Sequence, residues 1–220
     1  MNFILINSCS NNPFIALYFN LELIKSAIPL SDEPHNKRPD KLIFQLKYIL
    51  EKSGIKTENL DAISAVTGPG SFTGIRIGLA IAKGLAFRMD KPIIPITNFE
   101  LTLNRINKIL PGKKYCVLIP AKTPEYYYSV VKDSSELIKS CGQINDLAST
   151  IDTETMIVGD FDNESELNLT YFNFINVKKF KSEIDSMLEI TISRFEQGSM
   201  FASGDIEALY IKDFNIKKQK

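Results

Sequence analysis

The 220-residue sequence has no tryptophan, one histidine and three cysteines, and each scarcity narrows its chemistry. A protein zinc site draws on several His or Cys ligands. His35, alone in a polar loop between prolines, cannot supply one, and Ser-His-Asp catalysis would have to rest on that same residue. Cys9, Cys116 and Cys141 are odd in number and far apart. That spacing excludes a disulfide framework and a paired-cysteine metal knuckle, and predicts reduced thiols. Net charge is missing as well: 26 Lys and Arg balance 26 Asp and Glu, so no global field points to nucleic acid or a membrane surface. No run approaches the roughly eighteen apolar residues that span a bilayer, and residues 1–6 lack the basic n-region and apolar length of a signal peptide. The expectation is a soluble, cytoplasmic protein with no membrane partner.

What is present is 44% hydrophobic and 24% charged, the composition of a globular chain long enough to bury its own core. Apolar runs at 3–7, 14–19 and 21–28, with Asn20 as a tight connection, predict an antiparallel meander. Over 41–52 a helix is expected, because Leu42, Ile43, Leu46, Ile49 and Leu50 share one face and Gly54 supplies a stop. Phe44 and Tyr48 widen that stripe beyond one core contact. A strand at 61–67, a glycine turn, a second helix, a strand at 92–97 and a helix at 99–110 follow. Pro111-Gly112 is the expected boundary between an N-terminal unit, 1–110, and a smaller or divergent one, 111–220. The second unit restarts with strands at 115–120, 126–132 and 156–159 and a helix over 182–195. Both units begin with strands and end with helices, a pattern that a divergent duplication would give.

The most informative stretch is 68–87, a glycine-rich turn feeding a nearly uncharged helix. Between Phe72 and Met89 the charged residues are Arg76, Lys83 and Arg88, with Arg76 and Lys83 on one narrow line. Gly74, Gly78, Ala82 and Ala86 recur every four positions as a smooth stripe against which another backbone can pack closely. Each mid-helix glycine costs roughly 1 kcal/mol against alanine, so packing must offset it. Two surfaces could do so: the chain's own sheet, or a partner on the other face.

Catalytic readings of the same stretch fit poorly. A glycine turn at a helix start can cradle an anion, yet there is no GxxxxGK[ST], and the third glycine, Gly74, falls one place late for GxGxxG. Ser71 lacks the GxSxG spacing of a nucleophile elbow. The first strand ends in Asn7, where a nucleotide-handling sheet would offer a carboxylate to magnesium. Asp152, Glu154, Asp160, Asp162, Glu164 and Glu166 read as solvated surface. No catalytic or metal residue is therefore assigned, and an interaction subunit is expected.

The run Thr67-Gly68-Pro69-Gly70-Ser71-Phe72-Thr73-Gly74-Ile75-Arg76-Ile77-Gly78-Leu79-Ala80, followed by Ala82-Lys83-Gly84-Leu85-Ala86, strongly resembles the signature of the TsaB family. Fainter likenesses are Ile119-Pro120-Ala121-Lys122 with Glu125-Tyr126-Tyr127, Val158-Gly159-Asp160, and Ala208-Leu209-Tyr210-Ile211-Lys212. Asn7, Pro120 and Lys122 depart from the family's Asp, Asp and Arg. The resemblance implies an α/β, actin-like or hexokinase-like ATPase (ASKHA) fold, with two subdomains of mixed β-sheet and a degenerate ATP site. It implies a non-catalytic accessory or dimerization subunit of the complex that makes threonylcarbamoyladenosine at position 37 of tRNA. The implied partners are a TsaD-like catalytic subunit and a TsaE-like ATPase, with a homodimer as the alternative pairing and tRNA reached only through the complex. No cofactor is implied for the chain itself, with ATP or ADP at the complex interface left open. TsaD carries an HxxxH metal pair that a single histidine cannot supply. The expected partner interface is Leu42, Phe44 and Tyr48 of the first helix with Gly70, Phe72, Thr73, Gly74, Arg76, Ile77, Gly78, Ala82 and Lys83. The alternative is a divergent actin-like kinase or a metallopeptidase-like enzyme acting on its own.

Overall fold

The structure, a computed structural model, describes residues 1–10, 12–27, 38–106, 110–122, 124–133, 135–160 and 172–212. His35, Asp162, Glu164 and Glu166 lie outside the described residues. Two five-stranded sheets carry the fold. The first comprises β1 (Phe3–Asn7), β2 (Phe14–Phe19), β3 (Glu22–Ala27), β4 (Ala62–Gly68) and β5 (Ile93–Thr97), in the order β3-β2-β1-β4-β5. β1 to β3 form the expected antiparallel meander, and β4 and β5 add parallel strands beside β1. β1, β2 and β4 are near-continuous apolar runs, which suits strands covered on both faces. Asn20 and Leu21 both take positive φ, 53° and 64°, the geometry of a two-residue hairpin turn matched to strand twist.

α1 (Arg38–Ser53) joins β3 to β4, and α2 (Phe72–Met89) joins β4 to β5. Both connect parallel strands and cross the sheet in the same direction. Right-handed crossovers then put both helices on one face. α5 (Glu183–Glu196) covers the other: Phe195 meets Phe3 edge-on at 5.3 Å, and Met187 is fully buried. Side chains alternate across β1, so Phe3, Leu5 and Asn7 face α5 while Ile4 and Ile6 face α2.

After α3 (Asn98–Asn104) the second sheet is built from β6 (Lys114–Pro120), β7 (Glu125–Lys132), β8 (Ser135–Gln143), β9 (Met156–Gly159) and β10 (Asn173–Asn176), with α4 (Ile144–Ala148) after β8. Its order, β10-β9-β6-β7-β8, repeats the first sheet: a three-stranded antiparallel meander, then two parallel strands on the far side of its first strand. The second helix has the extent the sequence suggests, whereas the helix expected over 99–110 ends at Asn104. β8, α4 and β10 were not anticipated; β8 is an edge strand, mostly exposed, and has no buried face to write a period into its sequence. α5 crosses back from the second sheet to the core of the first.

Candidate functional site

A cleft of about 730 Å³ opens between the two sheets. The turn after β1, the turn before α2 and the β6–β7 connection meet there, with Asn98, Glu183 and Tyr210 completing the wall. The turn before α2 is largely self-satisfied. Ser71 caps α2 by accepting from Gly74 N–H at 3.2 Å, and its own N–H donates to the Cys9 carbonyl at 3.1 Å. Asn98 Nδ2 donates to the Pro69 carbonyl at 2.6 Å. Two amide donors of the proposed anion cradle are therefore already engaged inside the chain. The Cys9 thiol, buried here, is pushed up to about 12, first by burial and then by the nearby Glu183 charge, and is no nucleophile at neutral pH.

Asn7, where a carboxylate was the alternative, is fully buried at the end of β1. Its Nδ2 donates to Glu183 Oε1 at 2.5 Å and its Oδ1 accepts from Cys9 N–H at 3.2 Å. Glu183 opens α5, one residue after the Ser182 cap. Burial pushes its carboxyl up to about 7, opposed by the Arg105 guanidinium. Arg105 itself pairs with Asp160 at 2.7 Å, just beyond β9, and donates Nε to the Lys181 carbonyl at 3.1 Å. These polar side chains tie the floor of the first sheet to the end of the second. Sequence reasoning raised Asn7 and Asp160 for other roles and missed Glu183 and Arg105. The Asn7–Glu183 contact joins residues 176 apart, and no local pattern announces such a pair.

The residues expected at the partner interface separate into three groups. Leu42, Gly74, Gly78 and Ala82 are buried in the chain's own core, a correction to their placement on an outer surface. The reason is steric: a Cβ on Gly74 would stand 2.2 Å from the Ser8 carbonyl, and one on Gly78 would stand 2.1 Å from Ser8 Oγ. Gly74 thus receives the backbone of the chain's own turn after β1, and Gly78 the Ser8 side chain of the same turn. Gly70 and Phe72 line the cleft. Phe44, Tyr48, Thr73 and Arg76 are exposed, and Ile77 and Lys83 are half-buried.

On the outer side of α1 and α2 the structure adds Ile43 and Phe87 to the Phe44 and Tyr48 expected at the interface. Phe87 is 83% exposed, Phe44 71% and Ile43 54%. Ala80 and Gly84 are exposed on α2, with open space where a Gly84 side chain would be. The helix period placed Ile43 on the buried face of α1; the exposed stripe Ile43, Phe44, Tyr48 follows once Leu42, Leu46 and Ile49 define the inward one. Among the described residues no helix is long and apolar enough to cross a membrane, so this apolar face is not part of a spanning segment.

The chain is similar to known proteins in sequence and in fold. A Haemophilus influenzae tRNA threonylcarbamoyladenosine biosynthesis protein TsaB is 36% identical over 102 residues, covering 46% of this chain and 42% of that protein's length. The Escherichia coli protein of the same name is 22% identical over 229 residues, 97% of this chain and 95% of its own. The family model described as TsaD: tRNA N6-adenosine threonylcarbamoyltransferase matches residues 31–158. The chain belongs to this family, in its TsaB branch. Among solved structures, YeaZ from Pseudomonas aeruginosa superposes with TM-score 0.72 at 17% identity, over 95% of this chain and 99% of that one. A Bacteroides thetaiotaomicron protein with actin-like ATPase fold matches with TM-score 0.50 at 5% identity, over 86% and 95%. The expected actin-like α/β fold of two mixed sheets is therefore the one adopted.

Proposed function

We propose that this chain is the accessory subunit of a tRNA threonylcarbamoyladenosine biosynthesis complex in the cytoplasm, non-catalytic by itself, and that it docks a TsaD-like threonylcarbamoyltransferase through the outer face of α1 and α2. The observation that carries this reading is the exposed apolar surface of Ile43, Phe44, Tyr48 and Phe87 on one side of the first sheet. Single exposed apolar residues are ordinary, but several exposed aromatic residues on two helices of the same sheet face are the composition of an interface core. Both helices lie within the stretch that matches the TsaD family model. A TsaD-like partner would thus bring two matching helices, and four helices would close over a shared apolar seam. Arg76 and Lys83 stand at the rim, where a TsaE-like ATPase or a nucleotide phosphate would meet positive charge.

Phe44→Glu with Phe87→Glu places two carboxylates in that seam. Isothermal titration against the TsaD-like subunit is expected to show at least a hundredfold loss of affinity, with the circular dichroism of the isolated chain unchanged. Tight binding by the double variant would remove the surface from consideration. Sedimentation of the isolated chain separates the homodimer from the heteromer: a dimer abolished by the same changes would make a second copy the occupant. Reconstituted tRNA modification that runs equally well without the chain would sink the accessory role itself.

A further inference from the structure

Beyond α5 the chain follows the first sheet before it crosses to the second. Phe201 exchanges two backbone hydrogen bonds with Ile93, at 2.9 and 3.0 Å, and Ile206 is buried in the first core. After that anchor the hold loosens. Leu209 N–H donates to the Thr67 carbonyl at 2.9 Å, near the end of β4. The Leu209 carbonyl comes within 3.0 Å of the place a Cβ on Gly68 would take, so the crossing backbone rests against a glycine held at φ +116°. Tyr210 packs on Phe72 with ring centroids 5.3 Å apart, and its hydroxyl accepts from Arg76 Nε at 3.2 Å. The Arg76 guanidinium in turn covers the Phe72 ring at 3.8 Å. Ile211 packs with Phe99, Val117 and Ile119, and Lys212 pairs with Glu125 at the start of β7. Four consecutive residues thereby bridge both sheets along the wall of the cleft.

These contacts face solvent. Tyr210 is 45% exposed, whereas Ile206 is 3% exposed; Leu209 and Ile211 are half-buried and Lys212 is exposed. An exposed ion pair contributes little, and segments with few buried apolar contacts are the ones that open locally. We infer that residues 209–212 form a displaceable strap, hinged just after Ile206, that closes the cleft and takes up Phe72 and Arg76, so that lifting it frees both the cleft and the start of α2. The strap needs no partner and stands whether or not the docking reading above holds.

The absence of tryptophan makes a reporter simple: Tyr210→Trp introduces the sole indole of the chain. In the closed strap, acrylamide should quench it several-fold less than it quenches free N-acetyltryptophanamide. The reporter itself removes the hydroxyl that accepts from Arg76, so adding Phe72→Ala and Glu125→Gln takes away the remaining ring contact beside the first sheet and the ion pair at β7, and quenching should rise toward the free value with the unfolding midpoint nearly unmoved. Quenching that these two changes leave unaltered overturns the strap. So does a midpoint that falls in step with it, because the segment would then be part of the core. In the unsubstituted chain, hydrogen exchange gives an independent reading: the Leu209 amide should exchange at least tenfold faster than the Phe201 amide. Equal protection of the two would also overturn the proposal.

Discussion

The two faces of α2 are both built from small and apolar residues, yet one is closed by the chain itself and the other ends at solvent. On the inner face, Gly74 and Gly78 are small because the turn carrying Ser8 and Cys9 lies against them, and Ala82 and Ala86 are buried further along the same face. Ser8 Oγ also donates to the Gly74 carbonyl at 2.7 Å, which fixes the approach. On the outer face, Ala80 is exposed, a Cβ on Gly84 would have no neighbour within 4 Å among the described residues, and Phe87 is exposed on the next turn. A mid-helix glycine costs roughly 1 kcal/mol against alanine. At Gly74 and Gly78 that cost has a visible offset in close packing; at Gly84 the described residues show none. The difference teaches that smallness on the inner face serves folding, while smallness on the outer face asks for a surface beyond the chain.

Substitution at Gly74 should break the comparison most violently. Its missing Cβ would meet a backbone carbonyl, which cannot rotate away, so Gly74→Ala is expected to cost about 3 kcal/mol or more in denaturant unfolding. Gly78→Ala meets a serine hydroxyl instead. Shortening that neighbour by Ser8→Ala should recover part of the loss at Gly78 and none at Gly74. If Gly74→Ala unfolds at the wild-type midpoint, the packing of α2 on the first turn has been misread. Because both positions answer to the fold, neither can report on docking.

The opposite side of β1 offers a second contrast, polar where the α2 side is tightly packed. Burial holds the Glu183 carboxyl near 7 against an ordinary 4.5, so folding favours its protonated form. Its contribution to stability is then fully present below pH 4.5, declines between 4.5 and 7, and is lost above 7. Glu183→Gln keeps an oxygen for the Asn7 amide and removes the titration. The variant should match the wild type near pH 4 and exceed it at pH 8 by up to roughly 3 kcal/mol. Parallel stability-pH curves for the two proteins would mean that the group does not titrate in this window.

These contrasts also mark what the sequence could disclose. Continuous apolar runs made β1, β2 and β4 plain, and the uninterrupted helix-forming stretch between Ser71 and Asp90 gave α2 its bounds. The same lack of charge hid which face turned inward, since periodicity needs a polar side to define an apolar one. β8 was hidden for the converse reason, an edge strand with no consistently buried face. At the cleft, Thr97-Asn98-Phe99-Glu100 carries a capping-box pattern that does form and does aim Asn98 at Pro69. The Glu183–Asn7 and Arg105–Asp160 pairs had no such signal, because side chains from distant segments meet only once both sheets are folded.

The smallest expected effect is the one that separates the two faces most cleanly. Gly84 sits in the exposed interior of α2 with open space around its absent side chain. Gly84→Ala removes a helix-weakening glycine without a clash and should stabilise the isolated chain by roughly 0.5–1 kcal/mol. That sign is opposite to the one expected at Gly74, on the same helix and for the same change. Docking then gives the second reading of this position. If a partner helix approaches the outer face closely, the added methyl should weaken the heteromer even as it strengthens the subunit. A variant gaining both stability and affinity would mean that the partner's backbone stays clear of Gly84, and would shift the centre of the seam toward Phe44 and Tyr48 of α1.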